Sequence, residues 1–212
     1  MRVVCLASGR GSNFEALVKA EARGELSSAE IVALGVNRPD CGALHRARSH
    51  GVPDFVVDHR NYADKAGFEQ ALLQHLSGLA PDLIILAGFM RILTESFLEG
   101  VGVPVVNLHP ALLPAFPGIR GTERAFEAGV RLSGCTTHVV IPAVDAGPIL
   151  MQGLVPMHPG DALPDVQDRM QAMEHRLLPA TVAALARGDL RWNGSDLLTA
   201  PQFQPFLLPA AL

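Results

Sequence analysis

Arg2-Val3-Val4-Cys5-Leu6-Ala7 runs directly into Ser8-Gly9-Arg10-Gly11-Ser12-Asn13 and then into Phe14-Glu15-Ala16-Leu17-Val18-Lys19-Ala20. The first stretch is largely apolar and rich in valine, as an extended strand requires. The last spaces its apolar residues with a helical period. Strand, glycine turn and helix in that order form the opening unit of an α/β fold.

The alternation continues outward from this unit. Residues 31–36 read as a second strand ending in the Asn37-Arg38-Pro39-Asp40 turn, 43–49 as a helix and 55–57 as a short strand. Residues 65–79 place Phe68, Leu72, Leu73 and Leu76 at helical spacing, and 83–87 and 103–108 are apolar strands. Thr122 opens a helix over 122–128. The strand runs 135–141 and 149–155 then follow, joined by Pro142-Ala143-Val144-Asp145-Ala146-Gly147-Pro148, a link too short for a crossover helix, so an antiparallel pair is expected. Residues 163–187 are helical with a break expected near Pro179, and the tail from Leu190 reads as irregular. The fold class is α/β: a Rossmann-like, mostly parallel twisted sheet with helices on both faces and an antiparallel C-terminal part. Ligands of such sheets sit beyond the carboxyl ends of the strands, where the loops 8–13, 87–93, 107–114 and the Asp145 turn are expected to meet.

The chain has 212 residues, 49% of them apolar, enough to bury one large core. A net charge of −4 gives no support for a nucleic-acid or anionic-membrane surface. Cys5, Cys41 and Cys135 lack the paired spacing of zinc ligands and suit reduced thiols in a cytoplasmic protein. The N-terminal apolar run is too short for a secretory signal, and residues 83–93 are interrupted by Arg91 and too short to span a membrane.

The glycine loop 9–13 leads into a helix whose first N–H groups and dipole attract a single phosphate. It is no Walker loop, and Asn37 stands where a dinucleotide fold would place an acidic residue. The alternative is an ordinary turn with Ser12 or Asn13 as N-cap. In Asn107-Leu108-His109-Pro110-Ala111-Leu112-Leu113-Pro114, Asn107 and His109 are two apart and emerge on the same side of an extended chain. An amide donor beside an imidazole suits acyl or formyl transfer, one stabilising an oxyanion and the other moving a proton. A turn-capping Asn and a core His is the alternative. Asp145 either stabilises its Gly- and Pro-containing turn or pairs with His109 and favours the imidazolium. Phe89 and Met90 read as core, and His138 and His175 as structural; no metal spacing is seen.

Taken together, Leu6-Ala7-Ser8-Gly9-Arg10-Gly11-Ser12-Asn13, Leu86-Ala87-Gly88-Phe89-Met90-Arg91-Ile92-Leu93, the Asn107 to Pro114 stretch and Val144-Asp145-Ala146-Gly147-Pro148-Ile149 resemble the folate-dependent phosphoribosylglycinamide formyltransferase family of purine synthesis. The resemblance runs to about Arg187. It implies one formyltransferase domain over 1–187, an irregular tail over 188–212 packed on it, and small-molecule substrates, with 10-formyltetrahydrofolate giving its formyl group to the amine of glycinamide ribonucleotide. It further implies that Asn107, His109 and Asp145 are catalytic and that Gly11, Ser12 and Asn13 hold the substrate phosphate. Met90, Arg91, Ile92, Leu93 and Asn107 would line the folate pocket, Lys65 would contact the folate, and Glu174 would contact the substrate. No metal is implied, and monomer and homodimer both remain open.

Residues 118–123 lack the histidines that some members carry after the same Pro-Gly. Two relatives compete: a formyltetrahydrofolate deformylase, which normally adds an N-terminal regulatory domain, and methionyl-tRNA formyltransferase, which normally adds an RNA-contacting C-terminal domain. From another class, a non-catalytic nucleotide-binding module would have no need of Asn107, His109 and Asp145 together.

Overall fold

The structure, a computed structural model, describes residues 1–209. The chain divides into two compact units, one over Met1–Asn107 and one from Leu108 onward. The first contains β1 (Arg2–Ala7), α1 (Ser12–Ala22), β2 (Glu30–Val36), α2 (Gly42–Ser49) and β3 (Asp54–Val56). A 3-10 turn (His59–Asn61), α3 (Lys65–Leu79), β4 (Leu83–Leu86), α4 (Glu95–Val101) and β5 (Val105–His109) follow, the last two residues of β5 opening the second unit.

All pairings in the first unit are parallel: β1 with β2 and with β4, β2 with β3, and β4 with β5. Across this part the strand order is therefore β5-β4-β1-β2-β3. The direction in which the chain adds strands reverses between β1 and β4. In doubly wound sheets such a switch point opens a crevice at the carboxyl ends of the strands. Here it lies between the loops that follow Ala7 and Leu86. Val3 to Ala7, Ile84 and Ile85 are fully buried, the pattern of strands covered on both faces.

The second unit holds α5 (Gly121–Glu127), β6 (Leu132–Val139), β7 (Ile149–Pro156) and α6 (Leu163–Arg187). β6 and β7 are antiparallel, with Cys135 opposite Gly153 and His138 opposite Ile149. Their glycines let neighbours approach closely: a Cβ on Gly134 would lie 1.9 Å from the Gly153 carbonyl oxygen, and one on Gly153 would lie 2.5 Å from Met173 Cγ of α6. The expected class thus holds, with its parallel part first and its antiparallel part second.

Three local expectations change. α6 runs unbroken through Pro179; Leu177, Leu178, Pro179, Val182 and Ala183 are all buried, and that packing outweighs the one hydrogen bond that proline removes. α4 and the 3-10 turn were not read from the sequence. The tail is not wholly irregular: β8 (Leu190–Trp192) and β9 (Leu197–Thr199) form an antiparallel pair, and β10 (Phe206–Leu207) runs parallel to β7. Residues 210–212 of the tail lie outside the described residues. No described helix is long and apolar enough to cross a membrane. Cys5, Cys41 and Cys135 are buried free thiols.

Candidate active site

The turn after β1 is shaped by contacts to α2. The Gly9 carbonyl accepts the Ala43 N–H at 3.0 Å, and the Arg10 carbonyl accepts Arg46 Nε–H at 2.9 Å. Both carbonyls are thereby turned toward α2. Gly11 has φ 78° and is the N-cap of α1, and no side chain caps the helix. Ser12 and Asn13 are therefore the first two helical residues, not the cap that one reading of the turn allowed. The first intrahelical bond runs from Glu15 N–H to the Gly11 carbonyl at 2.9 Å, so the amides of residues 12–14 precede the helical ladder. A Cβ on Gly11 would lie 2.6 Å from Ala43 Cα, so α1 and α2 meet there only because a glycine separates them.

In the loop after β4, Met90 and Ile92 are 74% and 63% exposed, while Leu93 is buried. Arg91 lies over the Phe68 ring, 5.8 Å from its centroid. Lys65 Nζ stands 3.8 Å from Glu69 Oε1, one turn along α3. Asn107 is half-buried on β5.

His109 ends β5 and is 3% exposed. Its Nδ1 lies 3.3 Å from Asp145 Oδ2, and its Nε2 donates to the Phe116 carbonyl at 2.9 Å. Both ring nitrogens thus face oxygen acceptors. Asp145 Oδ2 also accepts the Gly118 N–H at 2.7 Å. Phe116 and Asp145 both adopt left-handed backbones, φ 54° and 52°; an aspartate tolerates this region, whereas for Phe116 it costs about 1–2 kcal/mol. The fold therefore holds strained backbone at the carbonyl that faces Nε2, as functional sites often do.

Sequence reading missed one member of this group. His138 Nε2 lies 3.5 Å from Asp145 Oδ1, and its Nδ1 donates to the Val139 carbonyl at 3.0 Å. It is buried and central to the cluster, although its type and spacing suggested a structural histidine. The signal was available: once 135–141 and 149–155 pair antiparallel, the connector must bring Asp145 back toward the end of the strand that carries His138. Burial pushes the His138 imidazole below its ordinary value, with His109 adding to the shift and Asp145 opposing it. The unfolded chain therefore binds more protons than the folded one just below the ordinary value of about 6.5. Stability from this group is complete above that value and is lost as pH falls from there toward the folded value. His138→Asn should flatten the dependence of unfolding free energy on pH between roughly 7 and 5, as measured by urea unfolding. Parallel curves for parent and variant would contradict this.

Glu174 is half-buried on α6. Burial raises the Cys135 thiol, and the charge of Glu174 adds to that rise. No group of three or more His, Cys, Asp or Glu positioned to hold a metal occurs among the described residues.

Residues 1–182 match the formyl transferase family. The chain belongs to this family. Among formyl transferases, the phosphoribosylglycinamide formyltransferase of Bacillus subtilis is 37% identical over 179 residues, covering 84% of this chain and 91% of that protein. The crystal structure of phosphoribosylglycinamide formyltransferase from Anaplasma phagocytophilum superposes with a TM-score of 0.88 at 36% identity, covering 98% of both chains. A trifunctional purine biosynthetic protein of Gallus gallus is 39% identical over 188 residues, but this formyl transferase chain spans only 19% of that protein's length.

Proposed function

We propose that this formyl transferase moves the formyl group of 10-formyltetrahydrofolate to the primary amine of glycinamide ribonucleotide. The observation that carries the reading is the buried His109–Asp145 contact of 3.3 Å, in a chain 37% identical to a phosphoribosylglycinamide formyltransferase.

The neutral amine attacks the formyl carbon, giving a tetrahedral carbon with an oxyanion and a positively charged nitrogen. Collapse breaks the bond to the folate nitrogen, a poor leaving group until it receives a proton. Asn107 and His109 would donate hydrogen bonds to the oxyanion. The Nε2–H that the Phe116 carbonyl accepts at 2.9 Å is the donor that a substrate oxygen would take over. Asp145, by facing Nδ1 at 3.3 Å, keeps the ring oriented. The proton lost by the attacking amine and the proton gained by the leaving nitrogen balance, and His109 with Asp145 would carry that transfer.

Gly11, Ser12 and Asn13 would hold the ribonucleotide phosphate, supported by carbonyls drawn toward α2 and by the N-terminal amides of α1. Fixing the phosphate orients the amine and makes attack effectively unimolecular. Met90, Arg91, Ile92, Leu93 and Asn107 would line the folate site. Lys65 would offer its ammonium to the folate, and Glu174 would contact the ribonucleotide.

The test mixes purified protein with 10-formyltetrahydrofolate and follows deformylation with and without glycinamide ribonucleotide. Amine-dependent release is expected. Equal release without the amine would make the chain a hydrolase, and no release would make it a binding module.

A further inference from the structure

The segment from Gly88 to Thr94 is fastened at both ends by buried polar side chains. At its start, the Ser8 hydroxyl accepts the Met90 N–H at 2.8 Å and donates to Asn37 Oδ1 at 2.6 Å. The Ser8 N–H also donates to the Gly88 carbonyl at 3.1 Å. Asn37 is itself seated by the 3-10 turn, whose His59 Nδ1 donates to the Asn37 carbonyl at 2.9 Å. At the other end, buried Glu69 of α3 accepts the Thr94 N–H on Oε1 at 2.9 Å and the Thr94 hydroxyl on Oε2. Thr94 in turn caps α4 by accepting the Phe97 N–H at 3.2 Å. Between these ends, Arg91 rests on Phe68, the neighbour of Glu69.

A short loop on the way to a helix does not need this much. The Thr94 cap alone would start α4, whereas a carboxylate taken out of water is costly unless it is well hydrogen-bonded. Both oxygens of Glu69 are nonetheless committed to Thr94. The segment so fixed also holds Met90 and Ile92 out to solvent, at 74% and 63% exposure. Ordering a backbone while leaving its apolar side chains in water gains the free fold nothing. It prepares a ledge of fixed peptide groups and apolar side chains, and a ligand that meets such a ledge does not bear the ordering entropy on binding.

We infer that Ser8 and Glu69 are positioning residues for the formyl donor, clamping the two ends of residues 90–93 so that their peptide groups and apolar side chains present a preformed face to its ring system. The inference rests on the proposed role of residues 90–93 in folate binding. Neither residue touches the reacting atoms; each acts through the backbone it holds.

Ser8→Ala and Glu69→Ala should each raise the KM for 10-formyltetrahydrofolate about five- to tenfold, the effect of losing one or two buried hydrogen bonds. The KM for glycinamide ribonucleotide should stay close to the parent's, and kcat at saturating donor should fall far less than the donor KM rises. Glu69→Gln keeps an acceptor for the Thr94 N–H and should recover most of the loss. Amide hydrogen exchange read without either substrate should quicken at Met90 in Ser8→Ala and at Thr94 in Glu69→Ala, so the clamp is judged even if the chain transfers no formyl group. Unchanged exchange at both amides would overturn the clamp. Faster exchange with an unchanged donor KM would leave the clamp standing but overturn its binding role, and with it the assignment of residues 90–93 to the donor. Should Glu69→Ala fail to fold, Ser8→Ala carries the same comparisons at the Met90 amide.

Discussion

Replacing His109 by alanine is expected to lower kcat about 10²- to 10³-fold, the usual loss when one oxyanion donor is removed from a preorganised site. The imidazole is buried between Asp145 at 3.3 Å and the Phe116 carbonyl at 2.9 Å, so its removal takes away a donor held in place by the fold. Stability should fall by about 1–3 kcal/mol, because two acceptors lose a donor, yet the β-sheet core does not depend on this ring. The Asp145 carboxylate keeps the Gly118 N–H at 2.7 Å and the neighbouring His138. Asp145→Asn should lower kcat by a similar order: the neutral amide keeps one acceptor oxygen but no longer places a charged acceptor against Nδ1. Initial rates of amine-dependent deformylation, with far-UV circular dichroism on the same preparations, test both variants. Turnover near the parent's in well-folded His109→Ala would remove the ring from the mechanism.

The elements of the fold differ in how openly the sequence displays them. β1, the glycine turn and α1 are legible because two periods meet at a glycine, and the bounds of α3 at Lys65–Leu79 and α6 at Leu163–Arg187 follow their apolar spacing. The antiparallel β6 and β7 follow from a connector too short to cross over. α4 is hidden because its seven residues offer fewer than two full periods and begin just beyond an apolar run. Pro179 argues locally for a break that burial overrides. His138 is hidden for a different reason: its role depends on the distance to Asp145 after the hairpin closes, and residue type alone does not report that distance. Likewise Ser12 and Asn13 look like helix caps, but the cap falls to Gly11 because α2 lies against the turn.

That close approach makes Gly11→Ala the most damaging small substitution in the glycine loop. With φ 78°, an alanine there costs about 1–2 kcal/mol in backbone strain alone. Its Cβ would also lie 2.6 Å from Ala43 Cα and 2.7 Å from Ala43 Cβ, contacts with backbone and a short side chain that have no rotamer to yield. Overpacking of this kind typically costs a further 1–3 kcal/mol or so, so stability should fall by roughly 2–5 kcal/mol, a large part of the total for most domains. Protein that still folds must push α1 away from α2, which also shifts the amides of Ser12 and Asn13, and the KM for glycinamide ribonucleotide should rise with it. Gly9→Ala is the matched comparison: its Cβ would meet nothing within 4 Å, so thermal unfolding should be close to the parent's. Urea unfolding of both variants separates the two cases, and a Gly11→Ala protein as stable as Gly9→Ala would show that the α1–α2 contact yields without cost.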